Sequence, residues 1–369
     1  MKTVFFISSW KNKHTKGGIS DLMDQLAIYS KNIDFKIELV CLFGSLPPRG
    51  IYLNAEIIQN LHHPKNESFI HKIFFWMASL FNILIFCLKN YKKMRQKHIV
   101  SCNPATTFIL PLFFNNVFVW ENVGFFSRHK GFDFIRLIMM RLTGVRVISP
   151  TKEEQSYFVK KWYLPKCFFI PDWYNPKTLI KSNKVPANPR HIKMLAAGAL
   201  HNRKGFDRLL KAVNLVSRNS LDAFSIDIFG DGPEKNELEN LKEKYNLSNV
   251  RFMGHDENLS EKYKLYDVFL LTSRYEGFPL VMVSALAAGI PTIAFDCKTG
   301  PRDIIKNGEN GYLVPNGDLK LFALSIERFL CDYVTFFNNM GVISKSVENY
   351  SIENAVRKLE VLIKVDEKK

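Results

Sequence analysis

The sequence predicts an α/β protein made of two domains, each built on a parallel sheet. Short apolar runs, such as Val117 to Trp120 and Val268 to Thr272, alternate with longer amphipathic segments, as expected for strands buried on both faces of a sheet. Glycines follow several of these runs, where a strand must turn into a helix. A chain of 369 residues also exceeds the size at which one hydrophobic core stops growing.

Prolines mark the boundary between the two predicted domains. They are concentrated among polar residues in the segment 175–190, which is the composition of a linker. We therefore expect a first Rossmann-like domain at 1–174, a linker at 175–190, a second Rossmann-like domain at 191–350 and a closing helix at 351–369.

Composition and charge restrict the class of protein. With 47% hydrophobic and 23% charged residues, the chain is globular. The six cysteines show no metal-binding spacing, which indicates reduced thiols in a cytoplasm. Residues 1–180 contain 24 Lys+Arg against 11 Asp+Glu, whereas residues 181–369 contain 27 against 24. The excess of positive charge in the first half favours an anionic partner there, with an unspecific basic surface as the alternative.

The segment 69–97 of the first half combines an apolar run with a basic cluster. Ile73 to Leu88 is sixteen residues long, which is short of the roughly 20 needed to span a bilayer. A helix buried against the sheet is one interpretation, and an aromatic face at an anionic membrane surface is the other. Since the chain has no recognisable nucleic-acid-binding motif, we expect no nucleic acid partner.

Two stretches of the second half have the residues of an anion and sugar site. Glu276-Gly277-Phe278-Pro279 follows the apolar run Val268 to Thr272 and leads into a helix, so it is expected at the carboxyl edge of the sheet. Lys204 and Gly205 precede another helix, where a lysine can bind a diphosphate beside the positive end of the helix dipole. Read by themselves, both stretches are also consistent with ordinary strand-to-helix connections.

A longer run of residues favours the interpretation of these stretches as a binding site. The run SRYEGFPLVMVSALAAGIPTIAFDCKTGPRDII, residues 273–305, resembles the donor-site signature of the family 4 glycosyltransferases. The resemblance extends more weakly over most of the chain. It implies the GT-B architecture of two facing Rossmann-like domains with the active site in the cleft between them.

The resemblance also implies roles for individual residues. Glu276 and Lys204 correspond to the catalytic pair that contacts the donor sugar and its diphosphate. Asn122 corresponds to a residue near the acceptor or the sugar. The implied donor-binding residues are Gly17, Gly18, Arg203, Gly254, His255, Gly277, Phe278, Pro279, Leu280 and Ser284.

The chain departs from the family pattern at three positions. Ser284 stands where a second glutamate usually holds the nucleotide ribose, and Asn122 stands where a histidine is common. Ala199 occupies the place of an arginine that binds the diphosphate, and Arg203 is a candidate to replace it. Ser284 can hydrogen-bond a ribose hydroxyl, but its side chain is shorter than that of glutamate and uncharged.

The resemblance implies a retaining glycosyltransferase that moves a hexose-type sugar, with UDP-sugar as the expected donor. The expected acceptor is a saccharide or lipid-linked molecule in lipopolysaccharide, O-antigen or capsule biosynthesis. No Asp-x-Asp pair is present, so we expect no metal and no cofactor. We expect a cytoplasmic protein that associates peripherally with the inner membrane. The alternative is a glycosyltransferase-like binding or scaffolding subunit with impaired catalysis.

Overall fold

The computed structural model describes residues 2–8, 22, 25, 26, 29, 35–41, 56–57, 69–121, 130–174 and 191–366. Within these ranges the chain forms two compact units, residues 1–171 with 357–369 and residues 172–356. The predicted linker at 175–190 lies outside the described residues.

The first unit is built on a seven-stranded parallel sheet in the order β3-β2-β1-β4-β5-β6-β7. Its strands are short and apolar because they are covered on both faces. They are β1 (Lys2–Ser8), β2 (Phe35–Cys41), β3 (Glu56–Ile57), β4 (His98–Ser101), β5 (Val117–Trp120), β6 (Arg146–Ser149) and β7 (Cys167–Phe169).

Four helices of the first unit pack on one face of this sheet. They are α1 (Phe69–Met94), α2 (Leu110–Phe113), α3 (Lys130–Thr143) and α4 (Lys152–Trp162). Each contributes buried residues to a single core with the inward side chains of the strands, for example Phe86 from α1, Met140 from α3 and Phe158 from α4. We call these four helices the helix layer.

The helix layer contains the apolar run for which two interpretations were open. The run lies within α1, which continues through the basic cluster to Met94. Its residues Ile83, Phe86 and Cys87 are buried, while Phe81 and Leu88 are exposed. The helix is therefore amphipathic, with one apolar face in the core and further apolar residues outside it. Among the helices of the described ranges, none has both the length and the apolarity to cross a bilayer.

The second unit has a six-stranded parallel sheet in the order β10-β9-β8-β11-β12-β13. The strands are β8 (Ile192–Ala197), β9 (Phe224–Phe229), β10 (Val250–Gly254), β11 (Val268–Leu271), β12 (Thr292–Asp296) and β13 (Gly311–Pro315). The helices that follow β8 in this unit are α5 (Phe206–Val213), α6 (Arg218–Leu221), α7 (Lys235–Lys244), α8 (Leu259–Lys262), α9 (Leu280–Ala287), α10 (Pro301–Ile304), α11 (Leu319–Asn338) and α12 (Met340–Lys345).

The last helix, α13 (Ile352–Asp366), begins in the second unit and ends in the first. Its residue Lys358 places the ammonium nitrogen 4.9 Å from the centre of the Phe169 ring, at the end of β7. The C-terminal half of α13 therefore packs against the first sheet.

Both sheets have the strand order of a doubly wound α/β fold. In each sheet, the first strands follow one another from a central strand to one edge. The chain then returns to the other side of that central strand, and the remaining strands continue to the opposite edge. The predicted α/β class with two Rossmann-like sheets is confirmed. In such sheets, ligands bind beyond the carboxyl ends of the two strands where the order reverses. In the second unit these strands are β8 and β11.

Candidate functional site

The loop after β8 carries two adjacent cations. Asn202–Lys204 form a single 3₁₀ turn, and Gly205 ends it with φ near 65°, in the left-handed region that favours glycine. A Cβ at Gly205 would lie 2.2 Å from the carbonyl oxygen of Thr272, at the end of β11. The absence of a side chain here lets the loop carrying Arg203 and Lys204 approach the neighbouring strand.

The loop after β11 carries Glu276, which is 3% exposed. Lys204 donates from Nζ to one carboxylate oxygen at 2.7 Å, and Arg203 donates from Nη1 to the other at 3.0 Å. Ser273 donates from Oγ to the same oxygen as Lys204, at 2.6 Å. The structure therefore brings together the predicted catalytic pair, Glu276 and Lys204, with Arg203 as a third member.

These contacts determine the charge of Glu276. Burial by itself raises the pKa of the carboxyl, but the charges of Lys204 and Arg203 and the hydrogen bonds from Lys204 and Ser273 outweigh it and lower the pKa below its usual value. Glu276 is therefore ionised at neutral pH. Since Lys204 and Arg203 carry two positive charges against one negative charge, the cluster retains a net positive charge.

A third loop, after β12, binds the main chain of Glu276. The amide of Glu276 donates to the carbonyl oxygen of Lys298 at 3.3 Å, and Thr299 donates from its hydroxyl to the carbonyl oxygen of Glu276. Thr299 is fully buried and has φ of 66°, a conformation that a β-branched residue rarely adopts. The single hydroxyl proton of this strained residue is shared between the carbonyl oxygens of Glu276 and Lys298, which holds the residue in place.

The predicted residues after Glu276 form the start of α9. Pro279 precedes the helix with φ −82° and ψ 68°, the geometry of an inverse γ-turn, and the Leu280 amide donates to the Phe278 carbonyl at 2.9 Å. That amide is thus already bonded within the turn, which sequence reasoning did not anticipate. Phe278 is buried, and its ring centre lies 5.5 Å from that of Tyr350. Gly277 is buried beside it, and Ser284 is half-buried in the second turn of α9.

The remaining predicted residues lie further from this cluster or outside the description. Gly254 ends the edge strand β10 with φ of 73°, and His255 follows it with an exposed side chain. Ala199 is exposed, and Gly198 before it lies against the stem of Lys204. The predicted residues that lie outside the described ranges are Gly17, Gly18 and Asn122.

Sequence reasoning missed three residues of the cluster's surroundings. Ser273 binds Glu276 directly, and the spacing Ser-x-x-Glu was a signal that could have indicated a local hydrogen bond. Arg274 and Asp207 form an ion pair next to the loop that carries Arg203 and Lys204. Because the two residues are 67 positions apart, no local pattern in the sequence indicated this pair. Among the residues that the structure describes, no group of three His, Cys, Asp or Glu side chains is arranged to hold a metal ion.

Comparison with known proteins finds similarity to glycosyltransferases, most clearly in the second half of the chain. Residues 178–345 match the family described as "Glycosyl transferases group 1". An uncharacterized glycosyltransferase of Haemophilus influenzae is 25% identical over 64% of this chain and 67% of its own length. The amylovoran biosynthesis glycosyltransferase AmsD of Erwinia amylovora is 37% identical, over 37% of this chain and only 38% of its own length.

Solved structures extend the likeness to both units. The lipopolysaccharide outer core galactosyltransferase WaaB aligns over 99% of this chain and 99% of its own, with a TM-score of 0.77 and 16% identity. HepE of Anabaena, solved in complex with UDP, aligns over 99% of this chain and 100% of its own, with a TM-score of 0.77 and 14% identity. At these identities the likeness shows a shared fold, that of GT-B glycosyltransferases. Residues 178–345, most of which lie in the second unit, are therefore similar to the glycosyl transferases group 1 family.

Proposed function

We propose that this protein is a retaining glycosyltransferase that transfers a hexose-type sugar from a nucleotide-sugar donor, with UDP-sugar as the donor class. The observation that carries the proposal is the convergence of Arg203, Lys204 and Glu276 beyond β8 and β11, where the strand order reverses. The family match over residues 178–345 supports the same conclusion.

The two cations suit a diphosphate leaving group. When the bond between sugar and phosphate breaks, negative charge grows on the diphosphate and must be stabilised. The side chain of Lys204 is 12% exposed and that of Arg203 is 36% exposed, so both can be reached by a ligand. The chain has no Asp-x-Asp pair to hold a divalent ion. We therefore assign the stabilisation of the leaving group to these side chains, without a metal.

Glu276 suits the orientation of the donor sugar. Its carboxylate is ionised and held on both oxygens, so it can accept a hydrogen bond from a sugar hydroxyl in a fixed direction. The side chains that bind it are those of Lys204, Arg203 and Ser273, and none of these is the second carboxylate that a double displacement uses. We therefore propose front-face transfer, in which the departing phosphate helps to take the acceptor proton, and not a covalent intermediate on Glu276.

The proposed acceptor is a saccharide or a lipid-linked saccharide in the assembly of a surface polysaccharide. The names of two similar proteins support this class, one from amylovoran biosynthesis and one from the lipopolysaccharide outer core. The proposed UDP donor is supported by HepE, which was solved with UDP. Lipopolysaccharide, O-antigen and capsule remain the three candidate pathways within this proposal.

The surface of the helix layer supports peripheral association with the cytoplasmic face of the inner membrane. Large apolar side chains are exposed on all four of its helices, and we propose that they form one surface for an apolar partner. They are Met77, Phe81, Leu88, Tyr91, Leu112, Phe134, Ile135, Ile138, Leu142 and Val159. Exposed cations lie on the same helices or directly after them, namely Lys89, Lys92, Lys93, Arg95, Arg141, Lys160, Lys161 and Lys166. Apolar side chains interspersed with cations match an anionic bilayer surface.

Thermal unfolding in the presence of a panel of nucleotide sugars tests the donor. A ligand at about 100 times its dissociation constant should stabilise the protein by roughly 2.7 kcal/mol. The stabilising donor is then incubated with saccharide acceptors in excess chelator, and transfer should proceed. Stabilisation without transfer or hydrolysis would favour the binding-subunit alternative, and activity that requires added manganese would contradict the metal-free mechanism.

Flotation with anionic vesicles tests the membrane surface. Wild-type protein should float at low salt and less so at high salt, because exposed charges are screened over about 8 to 10 Å near physiological ionic strength. The double substitution Phe81→Ser and Leu142→Ser removes side chains that are 62% and 76% exposed and should reduce flotation. Leu324→Ser, at a 55% exposed position of the second unit, is the matched control. Equal flotation of all three proteins would refute this surface.

A further inference from the structure

Arg274 links the loop after β11 to the loop that carries the two cations. Its main-chain amide donates to the carbonyl oxygen of Arg203 at 2.8 Å. Its guanidinium donates from Nη1 to the carbonyl oxygen of Asn202 at 2.6 Å. One residue therefore binds the two consecutive peptide groups that lie immediately before Lys204. It is also only two positions from Glu276.

Asp207 holds the guanidinium of Arg274 in this position. The carboxylate accepts from Nη1 at 2.8 Å and from Nη2 at 2.9 Å, and Lys211 donates to it at 3.0 Å. Asp207 lies in the first turn of α5, directly after Gly205, so the anchor belongs to the same connection as the cations. Burial raises the pKa of Asp207, but Arg274 and Lys211 together lower it to about 2, and the carboxylate stays charged.

We propose that Arg274 is a positioning residue, held by Asp207, that sets the distance between the cations Arg203 and Lys204 and the carboxylate Glu276. The inference rests on the function proposed above and names a residue that serves its site without touching the donor. A guanidinium can do this because its planar donors reach a carboxylate and a carbonyl at the same time. The ammonium of a lysine cannot reproduce that fork.

The elements that Arg274 joins distinguish a positioning role from a contribution to overall stability alone. Arg251 and Asp227 form a comparable pair in the same unit, with bonds of 2.7 and 3.0 Å, but they join the neighbouring strands β10 and β9. The pair Arg274–Asp207 instead joins the connections after β8 and β11, whose ends carry the proposed chemistry. Loss of Arg274 should therefore alter the site locally, and loss of Arg251 should not.

Hydrogen exchange on the full-length, unliganded protein tests the positioning. In Arg274→Ala, amides of the peptide covering residues 199–206 should exchange at least several-fold faster than in wild type, because the Asn202 carbonyl loses its bond from the guanidinium and the loop loses its link through Arg274 to Asp207. Arg251→Ala, which removes the comparable ion pair, should leave that peptide unchanged. Unchanged exchange in Arg274→Ala would overturn the inference, whether or not the protein binds a nucleotide.

Kinetics and UDP binding test the consequence for the site. Arg274→Ala should lower kcat by about tenfold to a hundredfold while KM changes little, since small displacements of positioned groups cost rate. Arg274→Lys keeps the charge near Asp207 and should restore the melting temperature more fully than it restores kcat. Turnover of Arg274→Ala equal to wild type would refute the role. If wild-type protein fails to bind UDP in calorimetry, the proposed donor is wrong, and the exchange experiment still decides the positioning.

Discussion

The two units each contain a buried glutamate that follows a sheet strand, and the two glutamates are used differently. Glu121 follows β5 and binds Arg136 through both carboxylate oxygens, with one bond of 3.0 Å, and the two side chains are 1% and 0% exposed. Glu276 follows β11 and is also buried, but its partners Lys204 and Arg203 reach the surface. The first pair is closed to solvent, and the second is open on its cationic side.

This difference distinguishes a carboxylate enclosed by the fold from one with the accessible partners that the proposed site requires. Both are charged and hydrogen-bonded, so burial and pairing do not separate them. Under the proposed function, a ligand would reach Glu276 through its cations, because the side chains of Arg203 and Lys204 are 36% and 12% exposed and outnumber the carboxylate. The pair Glu121–Arg136 has no accessible face and contributes to the packing of the first unit instead. The following substitutions test that distinction, beginning with the largest expected effect.

Breaking the closed pair should destabilise the first unit most. Arg136→Ala removes the cation that binds both carboxylate oxygens of the buried Glu121, and breaking a buried ion pair costs about 3 to 5 kcal/mol of unfolding free energy. Urea unfolding followed by fluorescence measures the loss. The double substitution Glu121→Leu with Arg136→Met removes both charges and should recover most of the stability. If Arg136→Ala unfolds like wild type, this pair is not the closed element that we describe.

Breaking the open pair should affect turnover far more than stability. Lys204→Ala should lower kcat about a hundredfold, equivalent to roughly 2.7 kcal/mol, because one contact to the leaving group is lost. The melting temperature should fall much less than in Arg136→Ala, since Arg203 and Ser273 still bind Glu276. Lys262→Ala, at a 45% exposed side chain paired with Asp256, is the control for loss of a lysine. Kinetics identical to wild type would remove Lys204 from the site.

A carboxylate added to α9 tests how closely the site around Glu276 follows the family pattern. Ser284 is half-buried in the second turn of that helix. A glutamate there should bind ribose hydroxyls more strongly than serine and tighten nucleotide binding about tenfold, or roughly 1.4 kcal/mol. Calorimetric titration of UDP into Ser284→Glu and Ser284→Gln separates the charge from the size of the side chain. Weaker binding with an unchanged melting temperature would show that the nucleotide is held differently here.

The smallest expected effect comes from Asp207, whose carboxylate binds Arg274. The pKa of Asp207 is lowered from 3.8 to about 2, so its charge stabilises the fold fully above about pH 4 and loses this effect as the pH falls towards 2. We expect Asp207→Asn to lose on the order of 1 kcal/mol at pH 7, because solvent screening weakens a partly exposed pair. Melting curves of both proteins should converge between pH 4 and pH 2. A constant difference across that range would mean that the charge of Asp207 contributes nothing.

The fold could be predicted from sequence because its elements depend on local patterns. The apolar runs at Val117 to Trp120 and Val268 to Thr272 correspond within one residue to β5 and β11. Helix ends were less predictable. The apolar pattern that starts at Phe206 continues to Val216, but α5 ends at Val213, and α11 continues as far as Asn338. Local propensity by itself does not determine where a helix ends, because packing of an apolar face supplies most helical stability in proteins.

The candidate site was predicted in part. Glu276 and Lys204 stand at glycine-containing turns after strands, and the resemblance to a known signature gave both residues a role before their contacts were visible. Arg203 was expected only as a substitute for the missing arginine at Ala199. Its bond to Glu276 and the support from Ser273 and Thr299 appear only in the folded chain.

The sequence by itself therefore determined the two α/β units, the excess of positive charge in the first half, and the residues that lie at the carboxyl edge of the second sheet. Each of these follows from composition or from the period of apolar residues along a short segment. Only the tertiary structure decided which charges meet. Lys204 and Glu276 are 72 positions apart, and Arg136 and Glu121 belong to different elements. Whether a buried carboxylate can be reached by a ligand depends on the exposed fraction of the side chains that bind it. The order of residues along the chain does not specify that fraction.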